Sequence, residues 1–173
     1  MEFSLPQAYL GGLLVLLSIA AVVVGRQILR VRRDEIALAR LEGETKGRDQ
    51  TAADLYELGS VQLRKRLYNQ AADTLKRALK AAAAEPSEAQ ALIENALGFA
   101  LAAQSNYSGA IRHYRSALRA KADYPVALNN LAFALEKQQK PEEAKETYAK
   151  VLALDAANRT ALKRLKRLER LAA

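Results

Sequence analysis

The feature that most constrains the fold of this chain is the spacing of small and bulky residues in its middle, from Ala91 to Pro125. Gly98 lies in a run of helix-forming residues, and the small Ala110 follows it shortly before a bulky Tyr114. Small residues on two facing helices allow the helix axes to approach closely, and a large side chain fills the space beside them. The stretch therefore predicts a hairpin of two packed helices.

The same arrangement recurs along the chain. Ala132 follows Gly98 by 34 positions, and a period of about 34 residues is that of the tetratricopeptide repeat, a helical hairpin that stacks into a solenoid. Gly59 precedes Gly98 by 39 positions, so five extra residues separate the first unit from the second. We place this insertion between Ala81 and Ala91, where Ser87 can cap a helix. It either lengthens the preceding helix or starts the next one early.

The predicted fold class is all-α: an N-terminal transmembrane helix, a tetratricopeptide-repeat solenoid of three helix pairs, and a C-terminal capping helix. A single hairpin cannot bury its apolar face alone, so several units must stack. Half of the residues are apolar, and only eight glycines and four prolines interrupt them, which favours helix over strand. The chain has no cysteine, which excludes disulfides, thiolate nucleophiles and cysteine-zinc sites.

A long apolar run near the N-terminus predicts a membrane span. Leu5 to Val24 holds twenty residues without a charge, and as a helix it is roughly 30 Å long, which matches the hydrocarbon core of a bilayer. A cleaved signal peptide normally has positive charge before its apolar run, whereas only Glu2 precedes this one. A buried core helix is seldom so uniformly apolar, so we interpret the run as an uncleaved single span.

The charges beside the span predict its orientation. No lysine or arginine precedes it, and the arginines that follow it are Arg26, Arg30, Arg32 and Arg33. The positive-inside rule therefore places the C-terminal part of the chain in the cytoplasm or its organellar equivalent. These arginines either set the topology alone or also contact lipid head groups, where each contributes about 1 kcal/mol.

The predicted domain organisation follows from these features. Residues 1–25 are the membrane anchor, and residues 26–50 are a basic juxtamembrane helix and linker. The helix frays near Gly43 or Gly47. The three repeats occupy residues 52–157, at about 52–85, 91–124 and 125–157.

Residues 158–173 are the predicted basic capping helix. Asn158 is a good N-cap, and the expected apolar stripe consists of Ala161, Leu162, Leu165, Leu168 and Leu171. We interpret the basic faces of this helix as the solvated outer surface that a terminal repeat requires. Contact with a membrane surface or an acidic partner is the alternative.

The first helices of stacked hairpins line a concave groove, which predicts where a partner binds. The candidate protein-binding residues are Tyr56, Ser60, Leu63, Asn95, Phe99, Ala102, Asn129, Phe133, Glu136 and Lys137. This apolar and aromatic surface fits an extended or helical protein segment. Packing between repeats is the alternative role for Phe99 and Phe133. Chaperone-tail receptors of this superfamily hold a terminal carboxylate with lysine and asparagine where this chain has Tyr56 and Ser60, so that clamp is not expected.

The sequence offers little that indicates catalysis. His113 is the one histidine, and it precedes a packing tyrosine, so we expect a solvated helix residue. No glycine-rich phosphate loop is present. We expect neither an enzyme nor a cofactor, a metal or a small-molecule substrate. The net charge of +8 is dispersed along the chain, so nucleic acid is not an expected partner.

The layout as a whole resembles one family. The residues that carry the resemblance are RQILRVRR at 26–33, AADLYELGSVQL at 52–63 and ALIENALGFALAAQ at 91–104. With these stretches the chain resembles the thylakoid-anchored tetratricopeptide proteins of cyanobacteria and plastids that assist photosystem I assembly. The resemblance implies a single-pass thylakoid protein with its repeats on the cytoplasmic or stromal side. It also implies photosystem I subunits or assembly intermediates as partners, without bound pigment or catalysis.

Three functional hypotheses remain open at this point. The first is a membrane-tethered scaffold for photosystem I assembly or stability. The second is a membrane adaptor that recruits a soluble chaperone or enzyme through the repeat groove. The third, an RNA-associated repeat protein, rests on net charge alone.

Overall fold

A computed structural model describes residues 5–44 and 50–172 of the chain. Within these residues the secondary structure is entirely helical, without a strand. The helices are α1 (Leu5–Glu44), α2 (Ala52–Arg64), α3 (Tyr68–Ala81), α4 (Ser87–Ala103), α5 (Tyr107–Ala120), α6 (Pro125–Lys137), α7 (Pro141–Leu154) and α8 (Arg159–Ala172). The predicted polar joint at 47–50 lies outside the described residues, except for Gln50.

Successive helices pack as a solenoid. The hairpins are α2 with α3, α4 with α5, and α6 with α7, and each hairpin stacks on the next one along the chain. α8 packs against α7 and closes the far end, whereas α1 packs against α2 at the other end. The predicted all-α class and the array of three helix pairs are therefore confirmed.

The turn inside each hairpin has the same backbone geometry. Arg66, Ser105 and Gln139 adopt positive φ angles of 59°, 62° and 57°. After each of them, the next amide donates a hydrogen bond to a carbonyl five residues earlier, as Asn106 does to Leu101 over 2.9 Å. This is the Schellman arrangement, which satisfies the last carbonyls of a helix and reverses the chain. The three turns follow one another at the same steps of 39 and 34 residues as the small residues.

The predicted close approach of paired helices is present. A Cβ atom built on Gly59 would lie 2.7 Å from Leu75 Cγ, and one built on Gly98 would lie 2.7 Å from Tyr114 Cε1. Leu75 is fully buried and Tyr114 nearly so. Neither side chain has free space to move into, so glycine holds each pair of helices at this separation.

The five-residue insertion is resolved by the helix lengths. α4 has 17 residues whereas α2 and α6 have 13 each, and the second helices α3, α5 and α7 have 14 each. The insertion therefore starts α4 early and does not lengthen α3. The remaining extra residue lies in the connection before α4, which contains a short 3-10 turn at Ala82–Ala84.

The expectation that Ser87 caps this helix is wrong. Pro86 occupies the cap position, and no side-chain hydrogen bond is made there. The Gln90 side chain instead donates to the carbonyls of Ala82 and Glu85, at 3.1 and 3.0 Å. Because proline occupies the cap position, Ser87 lies inside the first turn of α4. Gln90 instead provides hydrogen bonds to backbone carbonyls of the preceding connection.

α1 is a continuous helix that has two parts with different environments. Its apolar part is long and apolar enough to cross a membrane, and it is not buried against the rest of the protein. Its C-terminal part packs against α2, where Leu41 joins Leu58 and Val61 in a buried cluster. Arg64 of α2 contacts Asp34 of α1 at 3.0 Å. The first repeat is therefore covered by the end of α1.

α8 is capped and packed as a terminal helix. The Asn158 side chain accepts a hydrogen bond from the Ala161 amide at 3.1 Å, which confirms the predicted N-cap. Ala161 and Leu168 are buried, and Leu165 is partly buried against the same cluster. Leu162 and Leu171, however, are exposed. The predicted five-residue stripe is thus only partly buried, because among the described helices α8 packs chiefly against α7.

Candidate protein-binding groove

The first helices of the repeats present an exposed apolar strip. Leu92 and Phe99 lie two helical turns apart on α4, with 40% and 44% of their surface exposed, and Val126 at the start of α6 is 54% exposed. Tyr56 and Leu92 also line a small cavity of about 160 Å³ between the first and second repeats. Large apolar side chains left in water at such positions are available to a partner.

A polar cluster holds the middle of this surface in place. The Asn95 side chain donates to the Tyr124 hydroxyl at 3.3 Å and accepts from Asn130 at 3.0 Å. Burial raises the pKa of Tyr124, nearby Tyr56 raises it further, and the hydrogen bond from Asn95 opposes them. Asn95 therefore links the second repeat to the third, besides lying on the candidate groove.

Tyr124 and Asn130 are part of this cluster although the sequence pattern did not single them out. Tyr124 lies in the connection before α6, where helical periodicity gives no information about side-chain direction. Asn130 lies next to the predicted Asn129. A sequence signal for this polar cluster was available: one hydroxyl and two amide side chains, Tyr124, Asn129 and Asn130, lie close to the start of α6 at Pro125.

The C-terminal end of the predicted groove is covered by α8. Arg164 lies over the Phe133 ring, 5.0 Å from its centre, and Lys137 lies 5.6 Å from it. Cations over an aromatic face are attracted by the ring quadrupole. Phe133 is therefore partly covered, in contrast to Phe99.

Glu136 is used inside the fold. Its side chain is only 5% exposed and contacts Arg164 at 3.5 Å as well as Arg167. It also accepts a hydrogen bond from the Tyr148 hydroxyl at 2.6 Å. Burial raises the pKa of Tyr148, as do the hydrogen bond to Glu136 and its charge, while the two arginines oppose this. This carboxylate joins α6, α7 and α8.

The remaining predicted site residues differ in how far they are exposed to solvent. Asn129 donates to Asn158 at 3.3 Å, and its buried side-chain oxygen has no partner among the described residues. Ser60, Leu63 and Ala102 are partly exposed. The arginines that follow the apolar run are exposed on α1; they are Arg26, Arg30, Arg32 and Arg33.

His113 is not the solvated residue that was expected. Its Nδ1 lies 2.6 Å from Glu94 Oε2, and both side chains are largely buried. The pair connects α5 to α4 within the second hairpin. In the part of the chain that the structure describes, no group of three or more histidine, cysteine, aspartate or glutamate residues is arranged to hold a metal ion.

Comparison with known proteins agrees with this geometry. The tetratricopeptide repeat model matches residues 101–168. The ycf37 protein of Guillardia theta is 30% identical over 165 residues, covering 95% of this chain and 93% of that protein. This chain belongs to the ycf37 family of tetratricopeptide proteins. The family that the sequence resembles is thereby confirmed.

Other relatives place the ycf37 family among known folds. The chloroplastic tetratricopeptide protein PYG7 of Arabidopsis thaliana is 30% identical over 160 residues, covering 92% of this chain but 53% of that protein. The first repeat domain of Spaghetti (RPAP3), solved with a bound HSP90 peptide, has a TM-score of 0.66 at 24% identity. The match covers 73% of this chain and 97% of the solved repeat domain. The tetratricopeptide fold is a protein-interaction scaffold, and these matches indicate no catalytic family.

Proposed function

We propose that this ycf37-family protein is a membrane-tethered scaffold that binds protein segments in its groove and assists the assembly or stability of photosystem I. Its location would be the thylakoid membrane, crossed once by α1, with the repeats on the cytoplasmic or stromal side. Its partners would be photosystem I subunits or assembly intermediates. A tether raises the local concentration of such partners beside the membrane.

The observation that carries this proposal is the exposed strip on the first helices. Leu92, Phe99 and Val126 keep a large part of their surface in water although other apolar residues of the same helices, such as Leu97 and Leu135, are buried. An apolar segment that covers them removes that surface from water, which stabilises the complex by roughly 25 cal/mol per Å² of area. Family membership and the candidate span of α1 support the location.

In-cell crosslinking tests the proposal directly. A photoreactive amino acid in place of Phe99 should capture a photosystem I subunit. The matched control is the same amino acid at Arg112, an exposed position on the second helix of the same repeat, where we expect no capture. Deletion of the gene should lower the amount of photosystem I.

Two results would contradict the proposal. One is capture dominated by a soluble chaperone, which would favour the adaptor hypothesis. The other is an unchanged level of photosystem I in the deletion strain together with no captured subunit.

The Phe99→Ala variant separates binding from folding. Because Phe99 is 44% exposed, its truncation should cost less than the roughly 3 to 5 kcal/mol of a buried phenylalanine. We expect loss of partner co-purification with a nearly unchanged melting temperature, measured by circular dichroism. A large loss of stability would assign Phe99 to the core instead.

A further inference from the structure

The basic residues of α8 line an open cleft along one side of that helix. An open cleft of about 520 Å³ is lined by Arg159, Thr160, Lys163, Arg164, Arg167 and Arg170. Arg164 covers Phe133, and Arg167 contacts Glu136. Both contacted residues lie at candidate groove positions of the third repeat, so the cleft adjoins the concave face.

The repeat register explains this placement. Lys163 follows Asn129 by 34 positions, Arg167 follows Phe133 by 34, and Arg170 follows Glu136 by 34. α8 thus occupies the place of a first helix in a further repeat, and its groove positions are cationic. Of the two roles that the sequence leaves open for these exposed basic residues, a solvated outer surface and contact with an acidic partner, this register favours the second.

The cleft carries a net positive charge. Five of its lining side chains are cationic, and the carboxylate that contacts them is Glu136, which is shared by Arg164 and Arg167. Arg159, Lys163 and Arg170 contact no carboxylate among the residues that the structure describes. Lys163, Arg167 and Arg170 follow one stripe of α8, spaced over about 10 Å of helix.

We infer that the segment bound by this protein has two chemically distinct parts, apolar residues for the strip on α4 and α6 and a run of acidic residues for the cleft on α8. The inference rests on the proposed function and adds the chemistry of the partner. Arginine and lysine side chains bind carboxylates through charge-assisted hydrogen bonds. The apolar strip supplies contact area, and the cleft selects among apolar segments by charge.

An acidic protein segment fits better than a lipid surface or a nucleic acid. α8 lies at the opposite end of the array from α1, which carries the candidate span. A nucleic acid running along the groove would place phosphates over Leu92, Phe99 and Val126, which offer them no charge. A protein segment can change from acidic to apolar along its length.

Peptide binding to the full chain in neutral-lipid nanodiscs tests the inference. The probe is a fluorescein-labelled peptide with leucines in one half and aspartates in the other, and the matched probe has asparagines in place of the aspartates. Fluorescence anisotropy should show about tenfold tighter binding of the aspartate peptide, and raised salt should weaken that preference. Equal affinities would overturn the inference.

Two double variants locate the acidic half of the peptide. Lys163→Gln with Arg170→Gln should weaken binding of the aspartate peptide about tenfold and leave the asparagine peptide unchanged. The control is Lys150→Gln with Lys166→Gln, which removes the same charge from exposed positions outside the cleft. The inference fails if the control loses as much affinity as the cleft variant.

Two further probes test whether the cleft prefers a nucleic acid or an anionic lipid to an acidic peptide. If a labelled polyuridine binds as tightly as the aspartate peptide, the cleft is a general anion site and the inference is overturned. The same follows if replacing the neutral lipid with an anionic one abolishes peptide binding. The proposed function survives any of these failures if Phe99 still captures a photosystem I subunit, so the two can be distinguished.

Discussion

At the scale of single residues, small side chains set how closely the helices of a hairpin approach. Gly98 faces the nearly buried Tyr114, and Gly59 faces the fully buried Leu75. The third repeat has Ala132 at the equivalent position, fully buried in one cluster with Tyr148. The fold therefore accepts glycine or alanine there, which is why the spacing of small residues was a reliable signal.

Substitution of Gly98 tests how large a side chain the close approach of the two helices allows. Gly98→Leu should lower the free energy of unfolding by about 1 to 3 kcal/mol or more, because the added atoms collide with a ring that cannot move away. Gly98→Ala should also be destabilising, though less than Gly98→Leu, because its single added Cβ atom would lie 2.7 Å from Tyr114 Cε1. Urea denaturation followed by circular dichroism checks both. An unchanged midpoint for Gly98→Leu would contradict the assigned register.

Other residue-scale features could not be predicted from the sequence. The pairs His113 with Glu94 and Glu136 with Tyr148 join different helices. Periodicity assigns each residue to a face of its own helix but does not say which polar side chain on the next helix it meets. For this reason His113 was expected in solvent, and the role of Glu136 in holding α8 was missed.

At the scale of helices, the period gave the number and pairing of the elements but not the position of the insertion. An insertion that lengthens α3 and an insertion that starts α4 early are both compatible with the same apolar pattern in the sequence. Only the packing of the helices distinguishes the two. The contact between α1 and α2 was also missed. Its members are Leu41, Leu58 and Val61, supported by the ion pair of Asp34 with Arg64, and they lie on either side of a stretch without periodic signal.

The buried Leu41 tests whether α1 holds the first repeat. Leu41→Asp should release the end of α1, and hydrogen exchange of its last turns should become at least about tenfold faster, because losing a buried leucine costs about 2 kcal/mol or more. Ile36→Asp is the control, since Ile36 is 67% exposed on the same helix. Equal exchange rates in the two variants would contradict the contact.

At the scale of the whole molecule, buried tyrosines make stability depend on pH. Burial raises the pKa of Tyr114 and Tyr148 far above that of a free tyrosine. An unfolded tyrosine ionises near about pH 10, whereas the folded protein keeps both hydroxyls protonated. The contribution of the two tyrosines to the free energy of unfolding is complete below that pH. It is lost as the pH rises above about 10 toward the pKa of the folded state.

Denaturation at two pH values checks this expectation. The urea midpoint should fall between about pH 8 and about pH 11, and the fall should be smaller in Tyr148→Phe, which cannot ionise at that position. Comparing variant and parent at each pH removes the common effect of lysine deprotonation. An identical fall in both proteins would show that Tyr148 does not contribute.

The continuity of α1 has a rotational consequence for the groove. The helix that carries the candidate span also packs on the first repeat, so the concave face keeps a fixed direction relative to the faces of that helix. One residue added to α1 between the span and Asp34 would turn the groove by about 100°, whereas an added stretch of about seven residues would nearly restore it. Under the proposed membrane tethering, the groove keeps one direction relative to the faces of α1, so a partner that also packs along the span meets the groove in one orientation.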